Sequence, residues 1–581
     1  MIIKKHMTHR IYILCFQNIS MRSLVSILLA ALLIFVGNIS ICKGEIFELI
    51  KEDHNFAIYA RGLMREQKNS TRSFFKAKNE KLIVEVMLLN KNKLQISDIF
   101  ICRTDDPADY DNNYDVYFLL PWYKDGNSKK SVFHSKYKER NIEYEILAKD
   151  HGILKIDKEN TVNLIKVDIF GSKKYINIEK FDLSYGVNKK RRIPHNAKKY
   201  FITDKKTKGA IEIPEEQILY IFEKESKKIN ELIIGIELGD KSKHTFSIPI
   251  ITIPLELIDS NVDTAIYYRG IFHAKEATLS SEQKTRSQLE TEFRDMLEKG
   301  IQYPTVYLYD NKYREYMKIR NELFPKKDKI FIVDSALISY LRKNDLLKYK
   351  QRLMKIKSDS LFKEYKKIYF YLIDEPDKKK YEDTLNRVLP ILKANGVGIF
   401  LAGKAENFQD KIIEDVIYIL AYEPSEKIAE KFHQKKAKIY SYANPQVGIF
   451  KPEEFRINYG FKIIANKYDG IMPYAYQDSF GSQWSDFDSK YRDHMLTYPI
   501  SDGLLNTIHG VALQNAITDL RYASTYKAIL ERYMSYYGEK YPHQISLHEV
   551  SKYGASSFRS LIAREMLHIS KKMRAQKNEN H

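Results

Sequence analysis

Disulfide bonding is all but excluded from this chain. Its 581 residues hold three cysteines, Cys15, Cys42 and Cys102. The first two fall in or before an N-terminal apolar segment. Beyond it only Cys102 remains, so no internal disulfide framework can form. No apolar run reaches the about 20 residues of a membrane-spanning helix. The run LVSILLAALLIFV, residues 24–36, is 13 residues long, with Arg22 before it and Gly37-Asn38 after it. That is the length and flanking of a signal-peptide core. Residues 1–44 are therefore expected to be a signal peptide cleaved after Gly44. Lipidation of Cys42 or an uncleaved anchor are the alternatives, and any membrane association would run through this segment. The expected location is exported: secreted, periplasmic or envelope-anchored.

Nucleic-acid motifs are also missing. The net charge is +20, from 95 basic and 75 acidic residues. The basic residues are spread along the chain, densest at Lys189-Lys190-Arg191-Arg192 and from Lys571 to Lys577. Such dispersal reads as solvated surface, and no nucleic-acid partner is expected. The histidines lack zinc spacing, and Asp486 and Asp488 lack companion ligands, so no metal and no cofactor are expected.

What the chain has is a large apolar content, 44%, and enough length for two or three domains. From 45 to 258 the apolar residues come in short alternating runs such as KLIVEVMLL (81–89) and ELIIGIEL (231–238), parted by polar turns. That pattern predicts a β-sandwich-like domain. From 259 to 505 the texture changes. Eight nearly continuous apolar runs, at 264–272, 305–309, 329–334, 367–374, 396–402, 416–422, 437–443 and 469–476, alternate with amphipathic stretches at 280–300 and 379–396 among others. Buried parallel strands joined by helices produce this texture, and eight units predict a closed (β/α)8 barrel. Residues 506–581 read as C-terminal helices, over 511–534 and 556–575, with a basic tail.

Function in such a barrel collects where strands end. The fourth run, KIYFYLID, delivers Asp374-Glu375-Pro376 to that rim. The rim also receives Arg269, Asp310, Asp334, Glu423, Asn444, Gln446, Tyr474, Tyr476 and Asp478, a set of acids, amides and tyrosines suited to a neutral polyol such as a sugar. Glycoside cleavage needs a proton for the leaving oxygen and stabilisation of the developing positive carbon, usually from two separated carboxylates. An adjacent pair divides the labour otherwise: one acid protonates the leaving group, and its neighbour holds the substrate's own 2-acetamido group. A purely structural alternative is that Asp-Glu-Pro starts a helix.

The motif YLIDEPD (371–377) resembles the acid-pair motif of glycoside hydrolase family 123. Further segments agree with it in order: YANPQ (442–446), the stretch 470–476, QWSDFD (483–488), TYPISDG (497–503) and DLRY (519–522). The resemblance covers roughly 260–535. It implies a β-N-acetylgalactosaminidase-type enzyme that retains configuration through an oxazoline intermediate. Glu375 would be the general acid/base, and Asp374 would orient and polarise the acetamido N–H. Asn444, Tyr474 and Tyr476 are candidate sugar or acetamido contacts, and Trp484 is a candidate stacking face. The family commonly carries tryptophan where this chain has Tyr474, which puts sugar identity in question. The expected partner is a glycan or glycolipid. Competing expectations are a carbohydrate-binding protein on a retired barrel, and a glycosidase pairing Glu375 with Glu423 or Asp310.

Overall fold

The alternating front segment pairs into two facing sheets. A computed structural model describes residues 47–579 except 62–63, 66–71, 126–138, 178–200, 207–210, 212–213, 273–276, 278, 310–312, 449–450, 480–483, 488 and 490. The expected signal segment lies outside the described residues. In spatial order the larger sheet runs Glu48–Glu52, Phe56–Ala60, Ile83–Asn90, Glu216–Glu223, Tyr114–Asp125, Arg140–Ala148, Gly503–Thr507, Thr497–Ile500. The smaller runs Met64–Arg65, Arg72–Ala77, Lys243–Ile253, Glu231–Leu238, Ile96–Cys102. All pairs are antiparallel save Lys243–Ile253 with Arg72–Ala77. Alternate side chains, Val84, Val86 and Leu88 from one sheet and Leu232, Ile234 and Ile236 from the other, meet in a single apolar core.

The eight later runs all become strands of one parallel sheet. They are Asp263–Ile266, Tyr303–Pro304 with Val306–Leu308, Lys329–Asp334, Lys367–Asp374, Gly398–Gly403, Val416–Ala421, Lys438–Tyr442 and Gly470–Ile471. The second is interrupted at Thr305. The last pairs with the first, which closes the barrel. Period-two alternation sorts the side chains. Tyr267, Tyr371, Phe400, Ile419, Tyr440 and Tyr442 fill the interior, while Leu372, Leu401, Leu420 and Ile439 face the surrounding helices. The floor is plugged by charge: Lys329 Nζ donates to Asp263 at 2.6 Å, and the Tyr440 hydroxyl reaches the same carboxylate.

Most connections are helical, but the fifth and sixth strands are joined only by a short 3₁₀ turn, Ala405–Asn407. The helix expected from 280 begins later, as Arg286–Glu298, because Ser280 Oγ takes the N–H groups of Glu282 and Gln283 into a turn. Thr285 then caps the helix in a reciprocal box with Gln288. The C-terminal helices are Ile508–Tyr537 and Ala555–Glu579.

The expected end of the barrel segment at 505 needs correction. The hairpin Thr497–Ile500 and Gly503–Thr507 extends the larger front sheet through Arg140–Ala148. The DLRY segment is a joint. Tyr522 donates to Glu80 Oε2 at 2.5 Å, and Asp519 receives Arg456 at 2.8 Å and Arg559 at 2.6 Å. These contacts tie the front sheets, the barrel and both C-terminal helices together, and Gly44–His581 forms one compact unit.

Candidate active site

The mouth of the barrel is built by an irregularity in the fourth strand. Tyr371 pairs with Phe400 and Asp374 with Ala402, so three steps on one strand oppose two on the next. This bulge turns Leu372 and Ile373 both toward the helices and returns Asp374 to the face of Tyr371. The Tyr371 hydroxyl then donates to Asp374 Oδ1 at 2.7 Å. Glu375 follows with φ +36°, a conformation that costs a non-glycine residue roughly 1 kcal/mol or more. Gly403 makes room beside it: a Cβ there would stand 2.8 Å from Phe408 Cζ and 3.8 Å from Glu375 Cα.

Both acids are exposed at the rim. The helix Lys378–Asn395 is capped by Asp377, whose side chain accepts the Lys380 N–H at 2.8 Å. The helix thus starts directly after Asp374-Glu375-Pro376, with Asp377 rather than either acid of the pair as its cap. Tyr442, on the seventh strand, donates to Glu375 Oε1 at 3.2 Å and accepts from Gln446 Nε2 at 3.1 Å. Burial first, then the neighbouring phenols and carboxylates, holds Tyr371 and Tyr442 well above the ordinary tyrosine range. Both remain donors. Tyr267 stands between them, its ring 6.3 Å from Tyr371 and 6.0 Å from Tyr442.

Tyr474 completes the wall, 5.3 Å from Tyr267. Its hydroxyl goes to Asp478, which also takes both-oxygen contact from Arg269 Nη1 at 2.9 Å. Glu282 is a second partner of Arg269 at 2.5 Å.

Other expected site residues stand elsewhere. Asn444 is buried, its amide donating to Ser441 Oγ at 3.2 Å and accepting from Asn458 at 3.3 Å, on the helix side of the seventh strand. Tyr476 is fully buried in the layer outside the barrel and donates to Asp295 Oδ2 at 2.7 Å. Trp484 has no exposed surface; it packs in the front core, 5.1 Å from Tyr498 and 6.3 Å from Trp122. A ring enclosed on both sides presents no stacking face to a sugar. Asp334 caps the helix Ser335–Arg342 and binds Arg352 at 2.7 Å. Glu423 pairs with Lys462 at 2.5 Å, and Asp310 and Asp488 lie outside the described residues.

Sequence reasoning missed Tyr371, Tyr442 and Tyr267 as site residues. The available signal was their parity: each occupies an inward position at or near the carboxyl end of its strand.

A cleft of about 540 Å³ lies elsewhere, between the start of the helix Arg286–Glu298 and the turn at Ser501–Gly503. Asp502 is its only carboxylate among the lining residues, so it lacks the acid pair.

No protein-family profile and no curated protein matches the chain. Among solved structures it is similar to a β-glucuronidase from Ruminococcus gnavus in complex with a C6-substituted uronic isofagomine, with TM-score 0.30, 10% identity, and coverage of 52% of this chain and 60% of that one. It is similar to a glycosyl hydrolase family 2 member from Bacteroides cellulosilyticus, with TM-score 0.25, 10% identity, and coverage of 74% and 45%. A Bacteroides ovatus GH5 xyloglucanase in complex with a XXXG heptasaccharide gives TM-score 0.29, 7% identity, and coverage of 78% and 100%. The chain spans less than two thirds of the first two structures. Likeness at this level bears on neither substrate nor reaction.

Proposed function

We propose that this protein is a glycoside hydrolase that removes terminal β-linked N-acetylhexosamine, N-acetylgalactosamine foremost, with retention and with the substrate's acetamido oxygen as nucleophile. The observation that carries the reading is the adjacent pair Asp374-Glu375, exposed at the end of the fourth strand, each acid held by its own buried tyrosine.

Glu375, as the acid, gives its proton to the glycosidic oxygen while the acetamido oxygen attacks the anomeric carbon from the opposite face. The leaving alcohol departs and an oxazolinium ring remains. Asp374 accepts the acetamido N–H, which orients the group and offsets its developing positive charge. Tyr371 occupies Oδ1 of Asp374, so Oδ2 is the oxygen available for that contact. Glu375, now a carboxylate, takes a proton from water as the water attacks the anomeric carbon. The ring opens, the original configuration is restored and the acid is regenerated. Tyr474 would set the width of the sugar pocket, its hydroxyl committed to Asp478.

The test is an assay of aryl β-N-acetylgalactosaminide and aryl β-N-acetylglucosaminide beside Glu375→Gln and Asp374→Asn. Cleavage by the wild type with a fall of about 10²–10⁴-fold in either variant supports the reading. Unchanged turnover in Glu375→Gln would sink it. The same reading has the chain exported, with residues 24–36 as the signal core; mass spectrometry of secreted protein that still begins upstream of Leu24 would contradict cleavage.

A further inference from the structure

Away from the barrel, three short strands, Leu154–Asp157, Val162–Ile169 and Ser172–Asn177, make a separate antiparallel sheet. Asn163, Ile165 and Val167 of the central strand are buried. The intervening positions therefore face outward. Residues directly opposite in an antiparallel pair share a face. Lys166 lies opposite Tyr175 and Asp168 opposite Lys173; Phe201 bridges to Asp168 from the other side. The outer face thus carries Tyr175, Phe201 and Lys173 together, and Lys155 sits with its ammonium 4.6 Å over the Tyr175 ring.

The turn closing this hairpin is Phe170-Gly171, with φ of +52° and +86°. Such turns favour Asn-Gly, because both central residues are left-handed. Here a phenylalanine takes the first place and is 88% exposed. Phe201, bridged to Asp168, is 51% exposed. Among the described residues neither Lys173 nor Lys174 has a carboxylate partner, while Asp168 accepts the Gly171 N–H at 2.6 Å.

We infer that this hairpin is a docking element for an anionic lipid surface, Phe170 entering the boundary between headgroups and acyl chains while Lys173 and Lys155 on the outer face meet the headgroups. A phenyl ring has no polar atom to satisfy, and at a convex tip it leaves water only by entering a soft apolar medium. A soluble polyanion would engage the lysines alone and leave Phe170 in water, and the Tyr175 ring that could stack on a sugar already carries the Lys155 ammonium over it. The net charge of +20 favours approach to such a surface. The inference is independent of the proposed reaction.

The test uses the full chain. Its two tryptophans, Trp122 and Trp484, are 2% and 0% exposed, so a Phe170→Trp variant carries one exposed indole. With mixed phosphatidylserine–phosphatidylcholine vesicles its emission should shift to the blue and be quenched by lipids brominated high in the acyl chain. Adding Lys173→Glu and Lys155→Glu should weaken that response about tenfold or more. Sedimentation with vesicles but no shift and no quenching would overturn the inference, since contact would then lie elsewhere in the chain. A shift with heparin but none with vesicles would overturn it too, and assign the face to a soluble polyanion.

Discussion

Tyr371 and Asp374 stand three residues apart on one strand yet face the same way, joined by a 2.7 Å hydrogen bond. A regular strand would set them on opposite faces. The bulge between them is what brings an acid into the barrel mouth. Removing the hydroxyl in Tyr371→Phe leaves the packing in place and frees Asp374 to rotate. The expected result is a fall of about tenfold in kcat/KM, roughly 1.4 kcal/mol, with an unchanged melting temperature. Steady-state kinetics on the aryl glycoside and a thermal melt check both halves.

Trp484 is a core residue of the front sandwich. Trp484→Ala should cost about 3–5 kcal/mol of stability, read as a lowered denaturation midpoint. KM of the folded fraction should stay as it was. A raised KM at unchanged stability would instead return Trp484 to the sugar site.

Lys76 and Glu223 form an ion pair at 2.6 Å with neither side chain exposed. Glu223 also accepts the Leu82 N–H at 2.7 Å and the Lys227 N–H at 2.8 Å. Lys76→Met strands a buried carboxylate and should cost about 3–5 kcal/mol in urea unfolding. A cost near zero would show that water reaches the site.

His494 lies buried behind Tyr474, its Nδ1–H donating to the Val447 carbonyl at 2.8 Å. Burial lowers its pKa from the ordinary 6.5. The folded chain then binds fewer protons there than the unfolded chain. The sign follows: the stabilisation is complete above pH 6.5 and declines as pH falls through the folded value. Unfolding free energies measured across that window should slope downward toward acid, and His494→Gln should flatten the slope.

Much of the barrel was legible in the chain. Each of the eight apolar runs became a strand because a parallel strand buried on both faces needs apolar residues at nearly every position. Asp374-Glu375 was legible for a related reason: charged residues at the end of such a run can only stand at its rim. Asn444, Tyr476 and Trp484 were not, because order along the chain does not say which way a side chain turns. Asn444 and Tyr476 turn to the outer layer, and Trp484 drops into another core.

By itself, then, the sequence determined the class of fold, the strand count and the position of the acid pair, since these follow from local hydrophobic period and from where each period stops. Only the tertiary structure decided which residues attend that pair. Tyr371 reaches Asp374 through a bulge defined by pairing with the next strand, and Tyr442 reaches Glu375 across 67 positions of chain. The hairpin at Thr497–Ile500 joins a sheet whose first strand is Glu48–Glu52, at the other end of the described chain. Contacts of that kind depend on registers between distant strands, and no local period encodes them.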